Sequence, residues 1–277
     1  MSTQSPLSGS VAFIGGGNMA RSLIGGLVRE GVSPARLHVA EPMEAVRTAL
    51  AADFGVQVFA DGIDAVAGCD TWVLAVKPQV MAPVCTPLLA AAQATRPLVV
   101  SIAAGIPVAR LQALLGGDLA AVRCMPNTPA LLGAGVTGLF AGAGVDQAQR
   151  AQAGALLASA GGTVWVDAEP LMDAVTAVSG SGPAYVFLLA EAMEAAAIAE
   201  GLPADEARTL VLQTILGAGR MLLEDGAAPA ELRRRVTSPG GTTQAAIGTF
   251  QDGGFEALVA DAIHAARLRG AALAAQD

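Results

Sequence analysis

The run Gly15-Gly16-Gly17-Asn18-Met19-Ala20 lies between a short apolar stretch, residues 10–14, and a segment whose Met19, Leu23 and Leu27 share one face of a helix. That order suits phosphate chemistry. Gly15 permits a tight turn, Gly17 lets a pyrophosphate approach the backbone, and Ala20 lets the helix pack close to the strand. Unpaired N–H groups and the dipole of the first helical turn then favour an anion. Ile14 closes the strand, and Gly16, Asn18 and Met19 complete the predicted dinucleotide contacts. Glu41 ends a second predicted strand about twenty residues further on, where an acid reads the ribose hydroxyls. A carboxylate there repels a 2′-phosphate and favours NADH, whereas Arg47, near in sequence, leaves a phosphate contact open.

Three more segments follow apolar runs and so fall at the carboxyl edge of the same predicted sheet, where open α/β sheets bind ligands. Ala75-Val76-Lys77-Pro78 carries the chain's single lysine, and a cofactor contact is expected of it. Ile102-Ala103-Ala104-Gly105 offers small residues that leave room for a nicotinamide ring. In Arg123-Cys124-Met125-Pro126-Asn127-Thr128-Pro129 two prolines fix the path, and Asn127 offers an amide to the polar edge of the cofactor.

The elements that must position these residues change character along the chain. Residues 10–14, 36–40, 56–59, 71–76, 98–102 and 120–124 read as strands, several of them continuous apolar runs typical of parallel strands buried on both faces. The first two are followed by helical patterns, at 19–27 and 44–54. This alternation predicts a parallel sheet with helices on both faces. From Glu169 onward the pattern is helical: 169–178, 183–200, 204–224, 229–236, 242–252 and 255–275, with Gly201-Leu202-Pro203, Asp225-Gly226 and Gly253-Gly254 as breaks. The expected boundary is residue 166, giving domains 1–166 and 167–277. Ser179-Gly180-Ser181-Gly182-Pro183 falls between two predicted helices, either as a kink or as a place of close approach.

Composition excludes several classes. The net charge of −8 argues against nucleic-acid and anionic membrane surfaces, and Arg233-Arg234-Arg235 is too short to reverse that. Three cysteines, Cys69, Cys85 and Cys124, fit neither a zinc site nor a disulfide framework, so no metal is expected and a reducing, cytoplasmic compartment is. Residues 11–28 make a poor signal peptide, because no basic region precedes them and glycines interrupt them. Residues 185–198 are apolar but contain Glu191 and Glu194, which suits a buried interface helix better than a membrane span. His38 and His264 belong to no catalytic motif, so a histidine acid is not expected.

Taken together, the motifs resemble the pyrroline-5-carboxylate reductase family. The matching residues are Phe13-Ile14-Gly15 through Ala20, Ala75-Val76-Lys77-Pro78, Met125-Pro126-Asn127-Thr128-Pro129, Asp173-Ala174-Val175-Thr176, Ser179 through Tyr185, and Ser238-Pro239-Gly240-Gly241-Thr242-Thr243, in the family's order over almost the whole chain. The resemblance implies an α/β fold: an N-terminal Rossmann-type doubly wound sheet with an all-helical C-terminal dimerisation domain. It implies hydride transfer from NADPH or NADH to the C=N bond of 1-pyrroline-5-carboxylate, and homodimers, with higher assemblies such as decamers. It carries substrate contacts onto Glu169, Arg235, Thr242 and Thr243, with the Thr243 hydroxyl facing the ring nitrogen. Arg235 departs from the asparagine of some members, and Glu169 reads equally as a first-turn acid of its helix. Ser238, Gly240 and Gly241 lead into a helix whose first N–H groups suit the substrate carboxylate; capping and binding are compatible there. Other imine, ketopantoate or hydroxy-acid reductases of the same two-domain plan, and a non-catalytic nicotinamide-binding relative, remain alternatives.

Overall fold

The computed structural model describes residues 7–274. The elements in chain order are β1 (Val11–Ile14), α1 (Asn18–Arg29), β2 (Leu37–Ala40), α2 (Glu44–Phe54), β3 (Gln57–Phe59), α3 (Gly62–Val66), β4 (Thr71–Leu74), α4 (Met81–Cys85), α5 (Leu89–Thr95), β5 (Leu98–Ser101), α6 (Val108–Leu114), β6 (Ala121–Met125), β7 (Gly135–Ala141), α7 (Gln147–Ala158) and β8 (Gly161–Trp165). Helices follow to the end: α8 (Leu171–Val175), a π turn (Thr176–Gly180), α9 (Gly182–Ala199), α10 (Ala204–Glu224), α11 (Pro229–Arg235), α12 (Thr242–Asp252) and α13 (Phe255–Ala274).

The eight strands form one sheet in the order β3-β2-β1-β4-β5-β6-β7-β8. Strands β1 and β4 are buried at every residue, with Phe13 and Trp72 wholly enclosed. Two apolar clusters cover the two faces: Phe13, Leu23, Leu27 and Val73 belong to one, and Ile14, Trp72, Leu74 and Leu88 to the other. That is the doubly wound arrangement that the apolar runs predict.

Pairing is parallel throughout β1 to β6, the strands expected from the sequence, and again between β7 and β8, whereas β6 and the unexpected β7 run antiparallel. The link between them, residues 126–134, is too short for a crossover, and a parallel return needs about a dozen residues or more. Strands β7 and β8 are absent from the sequence-based expectation. Their glycines hide them: a Cβ on Gly138 would collide with the Val175 side chain, and one on Gly135 would lie 2.8 Å from Ala130. Close approach, rather than side-chain burial, selects those residues.

The chain divides into two compact units. One reaches through Ser181 and takes in the chain again from Ala266. The other is 182–265, formed by α9 to α12 and the first half of α13. No residue of α9 is buried within the chain, and Phe187 and Leu188 are about two-thirds exposed (65% and 66%). The apolar run Leu171–Ala199 is long enough to cross a membrane by length and composition. Within a single chain, then, the expected burial of 185–198 is missing and has to come from another surface.

Candidate active site

The chain connections change direction between β1 and β4, which makes their carboxyl ends the crevice of the sheet. Ladder bonds carry on past the strands and fix the loops there: Gly15 N donates to Ala40 O (2.8 Å) and Ala75 N to Ile14 O (2.8 Å). Gly15 has φ +105°, and a Cβ on it would lie 2.7 Å from Ala75 O. Gly17 is the N-cap of α1 in ordinary extended conformation, and a Cβ on it would meet nothing within 4 Å. Ala20, one turn on, is buried. The loop therefore needs glycine at 15 for the fold. At 17 it keeps a bare, open approach to the first N–H groups of α1.

A cleft of about 580 Å³ opens here, with Ile14, Gly15, Gly17, Glu41, Ala75, Val76 and Lys77 along it. Glu41 is fixed at its rim. One carboxylate oxygen accepts from Gly16 N (3.0 Å) and the other from Met43 N (3.0 Å). Arg47 is turned away to backbone, its Nη1 donating to the carbonyls of Glu41 and Pro42 (2.7 Å each). These features fit a dinucleotide: open space above Gly17, an unpaired helix start, and a preset acid.

A second cavity of about 480 Å³ lies within the same unit, lined by Pro78, Gln79, Ala104, Gly105, Asp173, Thr176, Gly270 and Leu273. Pro78 and Ala104 therefore face a cavity. Ile102 and Ala103 do not: their side chains pack into the two opposite core clusters, leaving only backbone for a ligand. Asn127 is also committed. Its Oδ1 accepts from Val136 N (2.9 Å) and its Nδ2 donates to Ser179 O (3.1 Å), so the amide fastens β7 and the π turn. Asn18 is exposed at the head of α1, and Met19 packs on the core.

Glu169 is engaged inside the first unit. Its Oε1 accepts from Val108 N (2.8 Å) and lies 3.4 Å from Arg123 Nη1. Arg123 was read from sequence only as the start of a turn. It is 5% exposed and reaches Asp173 as well, with Nη2 3.4 Å from Oδ1. A lone cation inside an apolar strand is the signal that points to such partners, since a buried charge demands them.

In the second unit, Gly240 (φ +70°) turns the chain into α12, and Gly240 N donates to Gln244 Oε1 (2.5 Å). Gly241 is the N-cap without a side-chain bond, which leaves the N–H groups of Thr242 and Thr243 with no partner in the helix. Ser238 is exposed and its carbonyl accepts from Gly241 N (3.0 Å). Arg235 is paired elsewhere, through Nη1 to Asp225 (3.0 Å) and through Nε to Glu231 (3.0 Å). His38 bonds Ala65 O through Nδ1 (2.9 Å), a structural position. All three cysteines are buried and free; burial raises the Cys69 and Cys85 thiols to about 11, and Cys124 is raised further. None of them is a thiolate nucleophile near neutral pH.

A glycine turn into a helix, an acid ending the second strand and a cleft at the switch point define a dinucleotide-dependent oxidoreductase. Residues 10–105 match the family described as NADP oxidoreductase, coenzyme F420-dependent, and residues 169–273 that described as pyrroline-5-carboxylate reductase dimerisation. The pyrroline-5-carboxylate reductase of Pseudomonas aeruginosa is 54% identical over 266 residues, covering 96% of this chain and 97% of that one. Among solved structures, that of a pyrroline-5-carboxylate reductase from Coxiella burnetii superposes with a TM-score of 0.93 at 39% identity, covering 96% of this chain and 98% of that one. That of the Plasmodium falciparum pyrroline carboxylate reductase, with NADP bound, gives 0.81 at 27% identity, covering 96% and 98%. The chain belongs to the pyrroline-5-carboxylate reductase family. Its helical domain, residues 169–273, matches the family's dimerisation domain, which supports self-association.

Proposed function

We propose that this chain reduces the C=N bond of 1-pyrroline-5-carboxylate to give L-proline, with NADPH or NADH as donor. Near-full-length identity of 54% to a reductase of that name carries the reading, on a chain whose switch-point cleft fits a dinucleotide. When bound, the reduced cofactor supplies the hydride. The chain's own work is to bind and orient. The first N–H groups of α1 take the pyrophosphate, with Ile14 through Ala20 shaping the approach. Ala75, Val76, Lys77 and Pro78 border the cofactor on the β4 side, and Ile102, Ala103 and Ala104 on the β5 side. The start of α12, with Ser238, Gly240, Gly241 and Thr242, cradles the substrate carboxylate, and the Thr243 hydroxyl faces the ring nitrogen. A protonated iminium already carries positive charge and accepts hydride directly, so orientation dominates the demand on the protein. Glu169 and Arg235 are assigned to the substrate and Asn127 to the polar edge of the cofactor, in addition to the contacts described above.

The assay is oxidation of NADH and of NADPH with pyrroline-5-carboxylate beside keto-acid controls. Substrate-dependent oxidation is expected with pyrroline-5-carboxylate and not with the keto acids; the reverse pattern, or none, overturns the reading. We assign NADH as the preferred donor, because the Glu41 carboxylate is preset at the rim while Arg47 is held on backbone carbonyls. Each Glu41 oxygen keeps acceptor capacity for a ribose hydroxyl. Glu41→Ser is expected to shift the kcat/KM ratio of NADPH to NADH upward by about tenfold or more, since one removed charge repulsion exceeds about 1.4 kcal/mol at close range. An unchanged ratio takes Glu41 out of cofactor choice. The domain limits 1–166 and 167–277, a decamer built from dimers, a cytoplasmic site, and the absence of nucleic-acid and membrane partners belong to the same proposal. The buried free thiols and acidic balance support the last three of these.

A further inference from the structure

The guanidinium of Arg123, carried by β6, is enclosed, and its two carboxylate partners tie it to two stretches of chain that carry residues lining the second cavity. On one side, Glu169 Oε1 is shared between Arg123 and Val108 N. Val108 opens α6, whose N-cap is Pro107 without a side-chain cap, so a carboxylate 61 residues away does the capping. That fixes the end of the connection containing Ala104 and Gly105, both in the cavity wall. On the other side, Arg123 holds Asp173, which lines the cavity together with Thr176.

Stability does not explain this arrangement. Burying a cation beside two half-buried carboxylates costs desolvation, and apolar replacements of the same shape are often as stable or more so. Such a network is better suited to setting register between parts that must stay at a fixed spacing. We infer that Arg123 is a positioning residue that sets the distance between the Ala104–Gly105 and Asp173–Thr176 walls and so orients the nicotinamide end of the cofactor. This rests on the reading of that cavity as the nicotinamide end. Arg123 acts through Glu169 and Asp173, and the adenosine cleft at Glu41 lies outside its reach: neither Arg123 nor its two partners line it.

The test compares the whole dinucleotide with its fragment lacking nicotinamide. Arg123→Met alone strips two half-buried carboxylates of their shared cation and risks misfolding. The triple variant Arg123→Met, Glu169→Gln, Asp173→Asn removes all three charges together and keeps an oxygen acceptor for Val108 N. Calorimetric titration is expected to give a wild-type Kd for ADP-ribose and at least a tenfold weaker Kd for NADH, with kcat down by a similar factor. Arg123→Lys, which keeps the charge but not the two-armed bridge, is expected to fall between. An unchanged NADH affinity and kcat overturns the proposal, as does a parallel loss of ADP-ribose and NADH binding, which marks general distortion. Wild-type protein that binds the two ligands equally well overturns the nicotinamide reading of the cavity, and with it this proposal. Failure of pyrroline-5-carboxylate to oxidise the cofactor, with these affinities as expected, overturns only the assigned substrate.

Discussion

Gly17→Asp is expected to keep the fold intact and to abolish cofactor binding. Gly17 sits at the N-cap of α1 with φ −69° and ψ −178°, an extended conformation open to any residue, and its Cβ direction is empty. Aspartate is among the preferred N-caps, and its charge complements the helix dipole, so stability should hold or rise by a few tenths of a kcal/mol to about 1 kcal/mol. The same carboxylate occupies the space and the N–H groups that a pyrophosphate requires. At about 4 Å a like-charge pair near a protein surface costs about 4 kcal/mol, which corresponds to a loss of about 10³-fold in affinity. Thermal melting and NADH titration on the same sample check both halves. Gly15 makes the contrast. With φ +105° and Ala75 O in the way, Gly15→Ala should lower the melting temperature, by a strain of about 1–3 kcal/mol. Wild-type NADH affinity in Gly17→Asp removes the pyrophosphate from the start of α1.

The difference between these two glycines was readable from their order in the sequence, because the loop works through backbone. A motif built of N–H groups, turns and missing side chains needs no distant partner to be recognised. The buried parallel strands were legible for a related reason: residues 71–74 and 98–101 are covered on both faces and read as unbroken apolar runs. The six helical segments after residue 169 were legible because Gly and Pro punctuate them. What stayed hidden depends on contacts between distant segments. Strand β7 is selected by approach to Ala130 and Val175, and β8 alternates between half-buried and exposed residues at the sheet edge. The Arg123 network joins residues 46 and 50 positions apart. Asn127 and Ile102 show how contacts of the scaffold are also hidden in the sequence. Each stands in a segment that follows a strand into the ligand edge, and each side chain also has a partner in the scaffold, Asn127 through Val136 N and Ser179 O and Ile102 through the core.

The second expected effect concerns Thr243 at the start of α12. Several threonines within helices of this chain return their hydroxyl to the carbonyl four residues back: Thr209 to Asp205, Thr249 to Ala245, Thr176 to Met172. Thr243 is the second residue of α12, so the residue four back lies outside the helix, and no hydrogen bond from its hydroxyl is found among the described residues. Removing that hydroxyl costs the fold nothing that it uses, and alanine is the stronger helix former. Thr243→Ala is therefore expected to melt within about 2 °C of wild type, as surface changes within about 0.5 kcal/mol do. A hydroxyl aimed at the ring nitrogen, by contrast, acts on the group whose charge disappears during reduction. Loss of one such preorganised partner lowers kcat on the order of 10²-fold. Because Thr243 is remote in sequence from every cofactor segment, KM for NADH should stay near wild type while kcat falls. Serine at 243 restores the hydroxyl and should recover most of the turnover. Unchanged kcat in the alanine variant, or a serine variant no better than alanine, leaves the start of α12 as a capped helix end and takes its threonine out of the reaction.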